Sequence, residues 1–319
     1  MISIDEALDA VLAAVVPLDH ETVPLLAALG RAAAREVRAR EPVPPFDNSA
    51  MDGFALRGAD LAAGRRRFRV VADVPAGRVA GRPLGEGEAA RIMTGAPLPE
   101  GADTVVPVEN TEAHGDEVAV TRAVETGANV RRAGEDVAAG DVVVTGGTAI
   151  GPAQLGLLAA VGVDQVAVAR RPRVAIVATG SELVPLGHPL PPGCLRDSNS
   201  YTAYAQALEA GAEPVRLGIA RDDPVETERL LAAALEHDVV VTSGGVSVGD
   251  YDFVKEAQER LGVERRFWRV ATKPGKPLAF GVRGRTLVFG VPGNPVAAML
   301  SFELYVRPAL LALQGRRDI

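Results

Sequence analysis

Apolar strands alternate with helices in the second half of the chain. The run RVAIVATG (173–180) is unbroken and apolar, and three further strand-like runs follow at 213–220, 238–245 and 286–295, each with a helical segment after it. Parallel strands that are buried on both faces have such unbroken apolar sequences, and strand–helix alternation is typical of a doubly wound sheet. The pattern therefore predicts a doubly wound α/β domain over residues 171–319.

The first forty residues have a helical pattern instead. Ser3 and Glu6 form the capping box that opens a helix, and apolar residues then recur at helical spacing, which predicts helix over residues 3–40. Three prolines in REPVPP (40–45) then indicate an extended linker and a boundary.

A third sequence pattern lies between these two regions. Residues 47–137 alternate short valine-rich runs with glycine and proline turns, which predicts a β-rich module. After it, Pro152 is typical of a helix start and Gly162 of a helix end. We expect this helix to return to the first segment, so that residues 1–46 with 138–170 form one helical linker domain with the β-rich module inserted in it. The chain as a whole is predicted to be a multidomain protein of the α/β and α+β classes.

Composition and charge exclude several classes of protein. Of 319 residues, 47% are hydrophobic and 24% are charged, which is ordinary for a globular protein. The 34 basic and 41 acidic side chains give a net charge of -7, which argues against a nucleic-acid-binding surface. The N-terminus lacks the basic residues of a signal peptide, and no apolar run reaches the length of a membrane span. We therefore expect a cytoplasmic protein with neither a nucleic acid nor a membrane as partner.

Small and acidic residues follow each predicted strand of the α/β domain. In doubly wound sheets, ligands bind beyond the carboxyl ends of the strands. Glycines there let a ligand approach the backbone and leave amide N–H groups for anions, and acids can supply metal ligands or a general base. The residues in these positions are Thr179, Gly180, Ser181 and Glu182, then Arg221, Asp222 and Asp223, then the stretch from Ser243 to Asp252, and finally Val291, Pro292, Gly293, Asn294 and Pro295. We expect them to meet at one edge of the sheet.

Four carboxylates at these positions indicate a cation. Glu182, Asp222, Asp250 and Asp252 would repel one another without one. Cys194 is the only cysteine and the four histidines are scattered, so the ligands of a metal ion should be oxygen atoms. Hard oxygen ligands suit Mg²⁺, which commonly accompanies a phosphorylated substrate.

A basic loop could complete such a site. Lys273 and Lys276 lie close together in TKPGKP (272–277), where they could bring positive charge to phosphates while the prolines stiffen the loop. Lysines between prolines can also be merely solvated.

Other features of the strand ends have structural interpretations too. Asp223 directly before Pro224 is better explained as a helix cap than as a ligand. Asp250 can cap the helix that begins near residue 251, so pattern alone does not rank it against Asp252. A glycine-rich turn after a strand can be only a turn.

Seven segments together match the motifs of a known family. They are PPFDNSAMDGFAL (44–56), RIMTGAPLPEGADTVVPVE (91–109), RRAGEDV (131–137), ATGSEL (178–183), SGGVSVGDYD (243–252), KPGKPLAFG (273–281) and GVPGNPVAAML (290–300), in the family's order and over nearly the whole chain. On these residues the chain resembles the molybdopterin molybdenumtransferases, the molybdenum-insertion enzymes of molybdenum-cofactor synthesis, whose relatives include the E domain of gephyrin.

The resemblance implies a reaction and a set of site residues. A partner protein, the molybdopterin adenylyltransferase, would donate adenylylated molybdopterin, and the enzyme would use molybdate and Mg²⁺ to place molybdenum on the dithiolene and release AMP. The implied catalytic residues are Asp52, Thr94, Glu182, Asp222, Asp252, Lys273 and Lys276, of which Glu182, Asp222 and Asp252 would hold the metal. The implied substrate-binding residues are Thr179, Gly180, Ser181, Ser243, Gly244, Gly245, Val246, Ser247, Gly249, Pro292, Gly293, Asn294 and Pro295. The roles of Asp136 and Asp250 stay open.

The resemblance also implies a homodimer. Family members usually dimerise, with the MDG module of one subunit near the α/β domain of the other. Asp52 and Thr94 would then act on an active site shared between subunits, and residues 1–46 with 138–170 would serve as the dimerisation domain. A tight turn in NSAMDG and a capped strand end in MTGAP are the structural alternatives for these two residues.

The sequence departs from the family pattern at its C-terminus. Members usually continue into a small β-domain that helps to line the active site, whereas this sequence ends at LLALQGRRDI. We expect this difference to affect activity more than ligand binding.

Two alternative functions share some of these residues. The molybdopterin adenylyltransferase shares the α/β domain and the SGG loop, but the NSAMDG module argues against it because that enzyme is usually the α/β domain alone. A non-catalytic scaffold or binding protein is favoured by the C-terminal ending. Acids at every motif position argue against it, because a scaffold does not need Mg²⁺ ligands.

Overall fold

The chain folds into two compact units. The computed structural model describes residues 1–244 and 253–319. Unit 1 comprises Met1–Val37, Val144–Leu155 and Gln165–Ile319, and unit 2 comprises Arg38–Val143 and Gly156–Asp164. The multidomain α/β class expected from the sequence is confirmed. The division into 1–46 with 138–170, 47–137 and 171–319 stays a prediction.

Helices and strands are numbered in chain order within the described residues. The helices are α1 (Ile4–Ala13), α2 (Gly58–Ala62), α3 (Pro152–Ala160), α4 (Asn199–Glu209), α5 (Pro224–Ala234), α6 (Phe253–Arg260), α7 (Pro295–Ser301) and α8 (Arg307–Leu313). The strands are β1 (His20–Pro24), β2 (Val37–Arg38), β3 (Asn48–Ser49), β4 (Gly53–Leu56), β5 (Arg67–Val74), β6 (Glu88–Ile92), β7 (Thr104–Pro107), β8 (Thr111–His114), β9 (Glu117–Val120), β10 (Val130–Arg131), β11 (Val142–Val144), β12 (Gln165–Ala169), β13 (Arg173–Thr179), β14 (Leu183–Val184), β15 (Leu195–Arg196), β16 (Glu213–Ala220), β17 (Val239–Ser243), β18 (Glu264–Trp268), β19 (Ala279–Arg283) and β20 (Thr286–Val291).

Unit 1 is built on a six-stranded sheet with the order β16-β13-β17-β20-β19-β18. The first four strands of this order run parallel to one another. Strand β19 is antiparallel to β20, and β18 is antiparallel to β19. The carboxyl ends of the four parallel strands therefore lie at one edge, where the loop from β18 to β19 also lies. The antiparallel pair was not anticipated from the sequence.

Helices cover both faces of this sheet. Val174 and Ile176 of β13 belong to a core that includes Ala203 and Ala207 of α4 and side chains of α1, α7 and α8. The alternate residues Ala175 and Val177 point to the other face, where they pack with Leu230 and Ala234 of α5. Burial on both faces explains why β13 is an unbroken apolar run.

The N-terminal helix is much shorter than expected. Helix α1 has the predicted capping box, in which Ser3 and Glu6 bond to each other's backbone N–H groups, but it ends at Ala13. Residues His20–Pro24 form β1, which is antiparallel to Gln165–Ala169. Beyond α1, the prediction of helix over residues 3–40 is wrong except for a short 3₁₀ helix at Leu25–Ala28. At β1, pairing with a strand some 145 positions away decided the conformation.

The last helical stretch is apolar but belongs to the core. Residues Pro295–Leu313 have the length and mean hydropathy of a possible membrane span, yet 56% of the apolar window is buried within the fold. A π-helical turn, Phe302–Val306, interrupts the stretch directly before Arg307 and Pro308. Proline lacks the N–H of a regular helical bond, and the wider turn accommodates this defect.

Unit 2 contains the predicted β-rich module. Its main sheet has the order β7-β4-β6-β5-β9-β8. Two apolar cores include buried side chains of this sheet, one around Phe54 and Phe68 and the other around Ile92 and Val105. At Gly53, an added Cβ would lie 2.1 Å from the carbonyl oxygen of Val106, so the close approach of β4 and β7 requires glycine.

An ion-paired glutamate stabilises this sheet. Glu88 accepts hydrogen bonds from Arg82 at 2.7 and 2.9 Å, from the N–H of Gly85 at 3.0 Å and from Arg69 at 2.6 Å. The Arg82 guanidinium, the Gly85 N–H and Arg69 lower the pKa of Glu88 to about 2. A carboxyl whose pKa is lowered on folding stabilises the fold above its unfolded pKa, and this contribution is lost as pH falls through the folded value.

We therefore expect Glu88→Gln to lower the thermal unfolding midpoint of the chain at pH 7. The difference from the parent protein should shrink as pH falls from about 4.3, the ordinary glutamate value, towards 2. Thermal unfolding followed by circular dichroism at pH 7 and pH 3 tests this. Glu117→Gln is the control, because Arg67 is the one ion-pair partner of Glu117 within residues 1–244 and 253–319. An equal midpoint shift at both pH values would contradict the interpretation of Glu88.

Candidate active site

A cavity of about 300 Å³ lies at the carboxyl edge of the unit 1 sheet. Its lining includes nine of the residues singled out from the strand ends: Thr179, Gly180, Glu182, Arg221, Asp222, Ser243, Gly244, Gly293 and Pro295. Four strands thus contribute to one site, because parallel strands end at the same edge. The volume is at the small end of the range for ligand pockets.

The loops after β13 and β16 are joined by reciprocal hydrogen bonds. The N–H of Asp222 donates to Ser181 Oγ at 3.0 Å, and the N–H of Ser181 donates to Asp222 Oδ2 at 3.3 Å. These bonds hold Asp222 on the cavity wall while one carboxylate oxygen carries no hydrogen bond from the described residues. The neighbouring Asp223 caps α5 by accepting from the N–H of Glu226 at 2.7 Å, as interpreted from the sequence.

Glycine at position 180 makes room for Glu182. Gly180 has φ of +136°, and an added Cβ would lie 2.3 Å from Glu182 Oε2. The carboxylate is therefore folded back over the backbone at the end of β13. A side chain at position 180 would displace it from the cavity wall.

If the chain releases AMP as the resemblance implies, Gly180→Ala should slow single-turnover release about tenfold by displacing Glu182. The positive φ should also cost the fold about 1–3 kcal/mol. Gly187→Ala is the matched control, because Gly187 has φ of +83° but an added Cβ would meet nothing within 4 Å. Calorimetric unfolding and rapid-quench AMP assays separate the two effects. If both variants lose AMP release equally, displacement of Glu182 is not the cause.

The loops after β17 and β20 pack closely against β13. Thr179 Oγ1 donates to the carbonyl oxygen of Ser243 at 3.0 Å, and the N–H of Gly244 donates to the carbonyl oxygen of Val291 at 3.1 Å. Gly244 has φ of +90°, and an added Cβ would lie 2.7 Å from Thr179 Oγ1. The small residues at the end of β17 are therefore required by this close approach.

The loop after β20, which contains the last of the predicted site residues, contributes only some of them to the cavity lining. Gly293 and Pro295 line the cavity, whereas Pro292 and Asn294 are not among its lining residues. Asn294 Oδ1 accepts from the N–H of Ala297 at 3.1 Å, which makes Asn294 the N-cap of α7. Pro295 occupies the first position of that helix, where proline needs no partner for a missing N–H.

The start of α4 is a part of the site that sequence reasoning missed. Arg196, Asp197, Ser198 and Asn199 line the cavity. Asp197 is 3% exposed, accepts from the N–H of Ser200 at 3.1 Å and from its hydroxyl, and pairs with Arg216 at 3.3 Å. The signal that could have found it is RDSN (196–199), a run of capping residue types at the start of a helix.

A network around Arg196 holds the loop from β14 to β15. Its guanidinium donates to the carbonyl oxygens of Pro185 at 2.8 Å and His188 at 2.7 Å. Strands β14 and β15 pair in parallel, and Leu183 and Leu195 from them line the cavity. Arg196 therefore shapes one wall of the site.

The two lysines lie at the same sheet edge but outside the cavity lining. Lys273 and Lys276 are exposed in the loop between β18 and β19. Among the described residues, neither ammonium group has an ion-pair partner. Arg269 begins this loop with φ of +70°, and its guanidinium carbon lies 4.0 Å from the centre of the Trp268 ring. The loop therefore presents positive charge that no carboxylate of the described chain neutralises.

The carboxylates that face the cavity suit a hard cation. Glu182 and Asp222 supply oxygen donors on its wall. Mg²⁺ usually keeps several waters and is held by one or two carboxylates together with substrate phosphates, so this pair fits it. Within residues 1–244 and 253–319, no group of three or more metal-ligating side chains occurs. The predicted residues Gly245, Val246, Ser247, Gly249, Asp250 and Asp252 lie outside the described residues.

Unit 2 brings Asp52 and Thr94 together. Asp52 Oδ1 accepts from the N–H and from the hydroxyl of Thr94, both at 2.7 Å. The N–H of Thr94, then its hydroxyl and the charge of Arg91 hold the pKa of Asp52 below its ordinary value, so this exposed carboxylate is ionised at neutral pH. The segments that contain Asp52 and Thr94 are also joined through Ser49, whose N–H donates to the carbonyl oxygen of Ala96 at 3.0 Å.

A third motif lies against the same loops of unit 2. Asp47 accepts from the N–H of Ala133 at 2.8 Å and from Arg132 at 2.6 Å, which lower the pKa of Asp47. Asp136 pairs with Arg131. The segments 44–56, 91–109 and 131–137 therefore converge on one surface, although they are far apart in sequence.

Two family models cover nearly all of the chain. The MoeA N-terminal region (domain I and II) matches residues 2–162, and a probable molybdopterin binding domain matches residues 175–312.

Individual relatives agree with these matches. The chain is 41% identical to the molybdopterin molybdenumtransferase of Bacillus subtilis over 92% of its own length and 70% of that protein. It is 42% identical to molybdopterin molybdenumtransferase 2 of Mycobacterium tuberculosis, over 93% of the chain and 76% of that protein. The crystal structure of the molybdopterin biosynthesis MoeA protein from Pyrococcus horikosii superposes with a TM-score of 0.87 at 36% identity, over 100% of this chain and 81% of that one. The chain therefore belongs to the molybdopterin molybdenumtransferase (MoeA) family.

Proposed function

We propose that the unit 1 cavity binds adenylylated molybdopterin and that the chain transfers molybdenum from molybdate to it with Mg²⁺-dependent release of AMP. As a member of its family, the chain is a molybdopterin molybdenumtransferase of molybdenum cofactor biosynthesis. The observation that carries the proposal for this cavity is the meeting of four strand ends with two carboxylates, Glu182 and Asp222, around a space of about 300 Å³.

The geometry supports binding of a phosphoanhydride. The backbone at Gly180 and Gly244 has no side chain to block a close approach of phosphate oxygens. Glu182 and Asp222 would hold the magnesium ion, with Asp252 as the further predicted ligand. A cation held there would polarise the phosphoanhydride as a Lewis acid. The exposed ammonium groups of Lys273 and Lys276 supply charge for molybdate or phosphate at the same sheet edge.

A shared site between two copies of the chain is part of the proposal. Unit 1 exposes apolar side chains on the neighbouring helices α4 and α7, including Tyr204, Leu208, Val296 and Met299 at 37–68% exposure. Exposed apolar side chains on two adjacent helices are typical of an interaction site, which supports a homodimer. Asp52 and Thr94 would then reach the cavity of the partner copy, and a molybdopterin adenylyltransferase would supply the substrate in the cytoplasm.

Product analysis tests the proposal. The protein is incubated anaerobically with adenylylated molybdopterin, Mg²⁺ and molybdate, and gel filtration separates bound molybdenum from free AMP. We expect equal amounts of pterin-bound molybdenum and released AMP. Binding of the substrate without AMP release would identify a scaffold protein. Synthesis of adenylylated molybdopterin from ATP and molybdopterin would identify the adenylyltransferase, the alternative that the match over residues 2–162 disfavours.

A further inference from the structure

Asn199 lies on the cavity wall at the first position of α4, and none of the sequence motifs gave it a role. Its Nδ2 lies 2.8 Å from Ser243 Oγ and 2.9 Å from the carbonyl oxygen of Gly293. A carbonyl oxygen only accepts hydrogen bonds, so the contact with Gly293 requires the amide nitrogen on this side. Both amide hydrogens are then used, and Ser243 Oγ must act as an acceptor towards Asn199.

This arrangement decides what the Ser243 hydroxyl can do. A serine hydroxyl has one hydrogen to donate. Because Ser243 Oγ accepts from Asn199, its own hydrogen is left for another acceptor, and none of the described residues takes it. Ser243 is 5% exposed and lines the cavity, and its carbonyl oxygen is held by Thr179 Oγ1 at 3.0 Å. The residue is therefore a buried hydroxyl donor in a fixed place.

Resting on the proposed function, we infer that Asn199 is a positioning residue that makes Ser243 donate a hydrogen bond to a phosphate oxygen of the bound adenylylated molybdopterin. An anionic acceptor is the strongest partner for such a donor. A carboxylate at position 199 would accept from Ser243 instead, and the hydroxyl would turn away from the ligand. The amide is thus required for its donors, and its shape alone would not suffice.

Two substitutions of Asn199 distinguish this role from simple packing. We expect Asn199→Asp to weaken binding of adenylylated molybdopterin about tenfold, or roughly 1.4 kcal/mol. We expect Asn199→Ala to weaken it only about threefold, because water can replace the amide as donor. A packing role predicts the opposite order, since aspartate has the shape of asparagine. Equilibrium dissociation constants come from anaerobic calorimetric titration, with thermal unfolding as the check on folding.

A charge control and a double variant complete the test. Ser198→Asp places a carboxylate on the same wall, next in sequence, and measures the general effect of negative charge on binding. Ser243→Ala alone should weaken binding about as much as Asn199→Asp, and the variant with both substitutions should be no worse than either. If Asn199→Asp does not fold, the cycle of Asn199→Ala with Ser243→Ala gives the same test of coupling.

Several outcomes of these measurements would contradict a positioning role for Asn199. Losses that multiply in the double variant, or a loss in Ser198→Asp equal to that in Asn199→Asp, would overturn the inference. Inorganic pyrophosphate is the second probe: an equal loss of pyrophosphate affinity assigns the acceptor to the phosphoanhydride, and an unchanged pyrophosphate affinity contradicts that assignment. If the unsubstituted protein does not bind adenylylated molybdopterin, the proposed function fails first; if it binds and the variants match it, only the role of Asn199 fails.

Discussion

Asp222→Asn is expected to slow single-turnover AMP release from adenylylated molybdopterin by about 100-fold or more, as is typical when a group that stabilises developing charge is removed. Asparagine can still accept from the N–H of Ser181, so the reciprocal bonds between the two loops should survive. The lost group is the charged oxygen on the cavity wall. The variant should also need more Mg²⁺ for half-maximal release.

The adjacent residue provides the control for this prediction. Asp223 caps α5, and asparagine is an equally good N-cap. Asp223→Asn should therefore leave AMP release and its Mg²⁺ dependence nearly unchanged. Rapid-quench assays over a range of Mg²⁺ concentrations measure both variants. Equal rates for Asp222→Asn and the parent protein would remove Asp222 from the proposed metal site.

Mixing two inactive variants is expected to restore activity if the active site is shared between subunits. Glu182→Gln damages the cavity in unit 1, and Asp52→Asn removes the ionised carboxylate in unit 2 that is held by Thr94. In a dimer with one copy of each, one site carries both defects and the other carries neither. Random exchange then gives about one quarter of the parent activity, because half of the dimers are mixed and each has one intact site.

The outcome separates action in trans from action in cis. The two variants are mixed, allowed to exchange subunits and assayed for AMP release, with each variant alone as the baseline. Thr111→Ala, a substitution elsewhere in unit 2, mixed with Glu182→Gln controls for exchange itself. No recovery in exchanged dimers would mean that Asp52 does not complete the partner's cavity, and a monomer by light scattering would exclude the shared site altogether.

The parts of the fold that local pattern could predict are those buried on both faces. Strand β13 was identified because Val174 and Ile176 face one layer of helices and Ala175 and Val177 face the other, which demands an unbroken apolar run. The strand–helix alternation predicts parallel strands, and parallel strands bring Glu182 and Asp222 to the same edge of the sheet. The cap role of Asp223 was also predictable, because its signal is contained in two adjacent residues.

The parts that failed depend on distant partners. Nothing near His20–Pro24 shows that it pairs with Gln165–Ala169, so helical spacing was wrongly extended through it. Asp197 has a local capping signal in RDSN (196–199), but its burial and its ion pair with Arg216 do not, since Arg216 belongs to a strand beyond the next helix. The contacts of Asn199 could not be predicted, because they are made with two loops, at Ser243 and Gly293, that only the folded sheet brings together.

Single-turnover AMP release by the 319-residue chain, measured with Mg²⁺ and molybdate supplied separately and together, is the decisive test of the proposed transfer. We predict rapid release only when both are present, and loss of that release in Glu182→Gln with substrate binding retained. Release that proceeds equally after chelation of divalent cations would contradict the role given to Glu182 and Asp222, and tight binding without any release would show that the cavity binds the substrate but does not carry out the transfer.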